Sequence, residues 1–132
     1  MTLVDTSAWI EFFRPKGDRE YKKRVAVLLR SGAAAYTCPT YYEILMGARP
    51  VEEADIKAVL SESNRIHFGA EHWNSAALLG RELRKSGVTV PSIDLFVAAV
   101  AISEQMRVLC KDEHFSRMRQ VLGDRLRLEG EI

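Results

Sequence analysis

The chain has 132 residues, 47% of them hydrophobic and 28% charged, with 19 lysines and arginines against 18 aspartates and glutamates. That is the length and composition of one globular domain, expected over 1–132, and it excludes wholesale disorder. The longest apolar run, Leu95 to Ile102, has eight residues, against roughly 20 for a membrane-spanning helix. The amino terminus has no basic stretch and meets Asp5 early, unlike a secretory signal. Cys38 and Cys110 are the only cysteines, and neither lies in a Cys-x-x-Cys pair. With no disulfide framework and no membrane span, a reduced, cytoplasmic protein is expected.

In chain order, Thr2-Leu3-Val4 reads as a buried strand ending at Asp5. Thr6 or Ser7 then caps a short helix carrying Trp9, Ile10, Phe12 and Phe13, which Pro15 and Gly17 terminate. A second helix runs through Tyr21 to Leu29, and Ala33 to Cys38 is the next strand. Pro39 opens a helix that Gly47 and Pro50 close. Glu52 to Ser63 is expected to be helical, Arg65 to Phe68 a short strand, and Glu71 to Ser86 a long amphipathic helix stopped by Gly87. Ser92 begins a helix reaching about Glu104, Val108-Leu109-Cys110 is a buried strand, and Leu126 to Leu128 is an edge strand. Short strands alternating with helices imply crossover units. The expected fold class is therefore α/β, a parallel β-sheet flanked by helices on both faces.

Charge is unevenly spread along the chain. Arg14 to Arg30 holds seven basic and two acidic residues, and Arg107 to Arg127 six and three. Between Glu43 and Glu62, five acids stand against Arg49 and Lys57. Two basic surfaces around an acidic middle suit a polyanion held near a cation, although basic runs are also common on solvated helix faces.

Four acids stand out, each with an ordinary explanation. Asp5 can start a helix after a strand, and Glu43 has capping-box spacing from Thr40. Asp94 sits where a negative charge favours a helix dipole, and Asp112 where an aspartate turn is common. Two facts weigh against coincidence. Asp5 and Asp112 both follow short apolar strands, and in parallel sheets the carboxyl ends of strands line the ligand crevice. Asp94 is the only polar residue from Ile93 to Ile102, and a carboxylate in so apolar a segment costs several kcal/mol unless something compensates it. Acids converging without basic partners repel one another, and a hard divalent ion such as Mg²⁺ or Mn²⁺ resolves the repulsion. Carboxylates with such an ion near basic surface point to phosphoester chemistry. No Gly-rich phosphate loop, His-Glu-x-x-His or Gly-x-Ser-x-Gly is present. His67, His72, Cys38, Cys110 and the aromatic residues Trp9, Phe12, Phe13 and Trp73 read as packing residues. His114 reads as a surface or packing residue that could also touch substrate.

Four segments together resemble the PIN-domain nucleases, above all the VapC-type toxins of type II toxin–antitoxin pairs. They are Asp5-Thr6-Ser7-Ala8-Trp9-Ile10, Glu43-Ile44-Leu45-Met46-Gly47, Pro91-Ser92-Ile93-Asp94-Leu95-Phe96-Val97-Ala98-Ala99 and Lys111-Asp112-Glu113-His114-Phe115. The resemblance implies a PIN-like fold in which Asp5, Glu43, Asp94 and Asp112 bind one or two Mg²⁺ or Mn²⁺ ions, with Ser7 in support. It implies an endoribonuclease that hydrolyses RNA phosphodiester bonds by a metal-activated water, leaving a 5′-phosphate. It further implies a homodimer and a cognate VapB-type antitoxin as partner. Arg14, Lys22, Lys23, Lys111 and His114 are the candidate RNA contacts. The family often has a hydroxyl residue two places before the last aspartate, where this sequence has Cys110, a poorer hydrogen-bonding group. The alternative from another class is a non-catalytic PIN-like module that binds RNA or protein. A receiver-type phosphatase or phosphoacceptor domain ranks lower, because the first strand ends without a second acid.

Overall fold

In the computed structural model, which describes residues 1–130, five short strands form one parallel sheet. They are β1 (Thr2–Val4), β2 (Ala34–Thr37), β3 (Asn64–Ile66), β4 (Arg107–Leu109) and β5 (Arg127–Leu128), in spatial order β3-β2-β1-β4-β5. The period-2 alternation of strand side chains divides the core into two layers. Val4, Ala34, Tyr36 and Leu109 lie on one side, packed against α1 (Thr6–Phe13), α2 (Arg19–Arg30), α3 (Cys38–Gly47) and α4 (Glu53–Ser61). Leu3, Ala35 and Val108 lie on the other, under α5 (Ala70–Lys85), α6 (Ser92–Glu104) and α7 (His114–Leu122). Both faces are covered, which is why the central strands β1 and β2 are buried along their whole length and read as largely apolar runs.

Register positions the functional edge. β1 lies between β2 and β4, with Leu3 opposite Ala35 on one side and Val4 opposite Leu109 on the other. The Asp5 N–H continues the ladder by donating to the Leu109 carbonyl at 2.9 Å. The chain beyond β1 and the chain beyond β4 therefore leave the sheet side by side at its carboxyl edge.

Several local expectations need correction. Asp5, not Thr6 or Ser7, is the N-cap of α1. α3 begins at Cys38 with Thr37 as N-cap, so Thr40 lies inside the helix and does not form a capping box with Glu43. Pro91 precedes α6, making Ser92 its first residue rather than its cap. Glu52 to Ser63 resolves into a 3-10 turn over Pro50–Glu52 followed by α4. α7 is an element the sequence reading lacks, although its buried Phe115, Met118 and Leu122 have helical spacing. Cys38 and Cys110 are half-buried rather than core residues, and Trp73 is 57% exposed.

Candidate active site

Asp5 does two things at once. As N-cap of α1 it accepts from the Ser7 N–H, at 3.1 Å, and from the Ser7 hydroxyl, at 2.7 Å, both through Oδ2. That leaves Oδ1 buried without a hydrogen-bond partner. The Ser7 hydroxyl oxygen in turn accepts from the Lys111 N–H at 2.8 Å, which ties the loop after β4 to the start of α1. Two further contacts hold that loop. Lys111 Nζ lies 3.0 Å from Glu11 Oε1, and the Tyr21 hydroxyl donates to the Cys110 carbonyl at 2.9 Å. Glu11 is a buried acid of α1 that also accepts from the Asp18 N–H.

The same loop delivers Asp112, whose Oδ1 accepts from the His114 N–H at 3.0 Å as α7 begins. Asp94 enters from the first turn of α6, with its side chain 9% exposed. Its Oδ2 lies 2.8 Å from Nδ1 of His114, which is also 3.6 Å from Asp112 Oδ1. Donor atoms of Asp94, Asp112 and His114 all fall within 4.8 Å of one another. Glu43, half-buried on α3, which packs against α6, adds its charge to the surroundings of Asp94.

Electrostatics agree with that convergence. Burial, opposed by the Ser7 hydrogen bonds and reinforced by Asp94 and Asp112, pushes the Asp5 carboxyl up from 3.8 to about 7. Burial, with repulsion from Asp112 and Glu43, raises Asp94 likewise from 3.8 to about 7. Asp94 and Asp112 thus act on Asp5, and Asp112 and Glu43 on Asp94, while no lysine or arginine enters the balance at Asp5 or Asp94. The donor set fits a divalent ion: hard carboxylate oxygens, two of them (Asp5 Oδ1 and Asp94 Oδ2) buried without a hydrogen bond.

The basic candidates sort differently. The Lys22 ammonium donates to the Phe12 carbonyl at 2.8 Å, and Lys111 is held by Glu11, so both have structural work. Lys23 is exposed on α2. Arg14 is exposed and shares with Glu43 the wall of a groove of about 180 Å³, floored by Ile10, Phe13, Ile44 and Ile56. Two features of the site were not read from the sequence: the approach of His114, named there only as a possible RNA contact, to Asp94, and the buried acid Glu11. His114 places Nδ1 2.8 Å from Asp94 Oδ2, a contact made across 20 positions that no local pattern announces. Glu11 was legible: it is a lone acid inside Trp9-Ile10-Glu11-Phe12-Phe13, the same signal that marked Asp94.

Comparison with known proteins places these features in a wider set. A PIN-domain family model matches residues 2–121. The VapC ribonuclease Mb1587 of Mycobacterium bovis and ribonuclease VapC11 of Mycobacterium tuberculosis are each 30% identical over 125 residues, covering 92% of this chain and 93% of the relative. Among solved structures, VapBC2 from Rickettsia felis bound to a DNA fragment from its promoter has a similar fold, with a TM-score of 0.78 at 20% identity over 97% of this chain and 96% of that one. DNA-bound VapBC from Salmonella typhimurium gives 0.78 at 18% identity, covering 98% of both chains.

Proposed function

Because the chain belongs to the PIN-domain family and to its VapC branch, we propose that it is a divalent-metal-dependent endoribonuclease, the toxin of a toxin–antitoxin pair. The observation that carries this reading is the state of Asp5 and Asp94. Each is buried, each keeps one oxygen without a hydrogen bond, and burial, reinforced by neighbouring acids and opposed by no lysine or arginine, raises each to a pKa of about 7. Such an arrangement is unfavourable unless a cation joins it.

Asp5 and Asp94 are the primary ligands of Mg²⁺ or Mn²⁺, and Asp112 completes the site. When bound, the ion polarises the phosphoryl oxygen and lowers the pKa of water for in-line attack. Glu43 orients the attacking water and accepts its proton. Ser7 fixes one oxygen of Asp5, so that the other is presented inward. Arg14, on the groove wall beside Glu43, and Lys23 hold flanking RNA phosphates. The apolar groove floor suits a segment of a VapB-type antitoxin, and the active form is a homodimer.

Purified protein incubated with RNA in Mg²⁺ or Mn²⁺, and in EDTA, tests the reading. Cleavage in metal that EDTA and Asp94→Asn both abolish, with growth arrest on expression lost in the same variant, is the expected result. RNA binding without cleavage in any metal would establish the non-catalytic module instead.

A further inference from the structure

His114 is not among the carboxylates that the family pattern singles out, yet its ring reaches into their centre. Nδ1 stands 2.8 Å from Asp94 Oδ2 and 3.6 Å from Asp112 Oδ1. At 2.8 Å a simple N–H···O hydrogen bond would be expected, but the alignment is wrong for one: Asp94 Oδ2 and His114 Nδ1 are both buried and neither makes a directed hydrogen bond. Two donor-type atoms at such a separation, each with its lone pairs unused by the protein, are placed as atoms sharing a third partner are placed. The ring is carried there by a fixed element. His114 is the first residue of α7, its own N–H is anchored on Asp112 Oδ1, and Phe115 beside it is fully buried in the core. The nitrogen is therefore delivered by the fold rather than by a free side-chain excursion.

We infer that His114 Nδ1 is a ligand of the same divalent ion, so that the centre is a mixed nitrogen–oxygen site rather than an all-carboxylate one. The inference rests on the metal-dependent reading above and deepens it. Its chemical consequence is selectivity. Carboxylate oxygens serve Mg²⁺ and Mn²⁺ alike, whereas imidazole is a donor that transition ions take far more readily than Mg²⁺ does. A site with one imidazole nitrogen favours Mn²⁺, and the neutral ring must then carry its proton on Nε2.

The other histidines do not compete on these terms. His67, Glu71 and His72 also lie together, but His72 Nδ1 accepts the Gly69 N–H at 3.0 Å at the start of α5. His67 Nε2 is 3.0 Å from the Glu71 carboxylate, as an exposed pair.

Electron spin-echo envelope modulation of protein loaded with one equivalent of Mn²⁺ reads the ligand directly, without reference to catalysis. The expected result is ¹⁴N modulation from a coordinated imidazole in the wild type and in His67→Ala, and none in His114→Ala or His114→Asn. The asparagine variant keeps a polar side chain against Asp94 and guards against a loss caused by misfolding. In parallel titrations, Mn²⁺ affinity is expected to fall at least tenfold in the His114 variants, the order that even outer-shell substitutions cost, while Mg²⁺ affinity changes less. Mn²⁺ bound tightly with no ¹⁴N modulation, or with modulation that survives His114→Ala, overturns the inference and leaves the carboxylate site standing. Failure of the wild type to bind Mn²⁺ at all removes both.

Discussion

Replacing Asp94 by asparagine should stabilise the metal-free protein, and the gain should appear only as pH rises. In the folded chain the Asp94 carboxyl is raised from 3.8 to about 7 by burial and by Asp112 and Glu43. A carboxyl raised on folding stabilises the native state fully below its unfolded pKa, and that contribution is lost as pH climbs through the folded value. At about 1.4 kcal/mol per pH unit, the whole shift corresponds to about 4 kcal/mol above pH 8. Asp5 shares part of the same repulsion, so a net gain of about 2–4 kcal/mol is expected for Asp94→Asn. For a chain of this length each kcal/mol moves Tm by about 4 °C. Thermal unfolding in EDTA should therefore show wild type and variant melting together at pH 4, with the variant about 8–16 °C higher at pH 8.5. Saturating Mn²⁺ should reverse the order at pH 8.5, because ligand binding to the native state stabilises only the protein that holds the ion. A variant that melts at or below the wild type at every pH in EDTA would refute the reasoning, since Asp94 would then be a compensated carboxylate.

Three further outcomes follow from contacts around the site. Ser7→Ala removes the hydroxyl that donates to Asp5 at 2.7 Å and accepts from Lys111 at 2.8 Å; calorimetric Mn²⁺ affinity should drop about tenfold or more, and an unchanged value would deny Ser7 its supporting part. Gly17→Ala would set a Cβ 1.8 Å from the Glu11 carbonyl oxygen, so the turn before α2 must shift; urea unfolding should show a loss of more than about 2 kcal/mol at unchanged m. Arg14→Ala should lower the slope of RNA affinity against salt by about 0.7, the value of one phosphate contact to a single strand, and an unaltered slope would remove Arg14 from the binding surface.

β1, β2 and β4 were legible because they are short, largely apolar and largely buried runs, whereas β3, Asn64–Ile66 with Arg65 exposed, ends two residues before the expected strand over Arg65 to Phe68. The convergence of Asp5 and Asp112 was legible for a related reason: both follow such runs, and β1 and β4 are neighbours in register. What sequence could not supply was the cap geometry. Thr6, Ser7, Thr40 and Ser92 all look like caps, yet Asp5, Thr37 and Pro91 hold those positions. The choice depends on where the preceding strand stops, which is a matter of one residue. α7 was obscured for a different reason, since its apolar stripe of Phe115, Met118 and Leu122 is interleaved with basic residues that dominate a charge count. The His114 contact needed the three-dimensional crossing of α6 and α7, which no local period encodes. Cys110, in contrast, matters less than its side chain suggested. The loop that carries Asp112 is held through the Cys110 carbonyl by Tyr21 and through Lys111 by Ser7 and Glu11.

The most direct measurement is anomalous diffraction at the manganese edge from crystals soaked in Mn²⁺. The expected map has its strongest peak within about 2.5 Å of carboxylate oxygens of both Asp5 and Asp94, with Asp112 at its border. Carboxylates that stay bare at high Mn²⁺, with density only beside His67, Glu71 and His72, would contradict a shared ion and with it the nuclease.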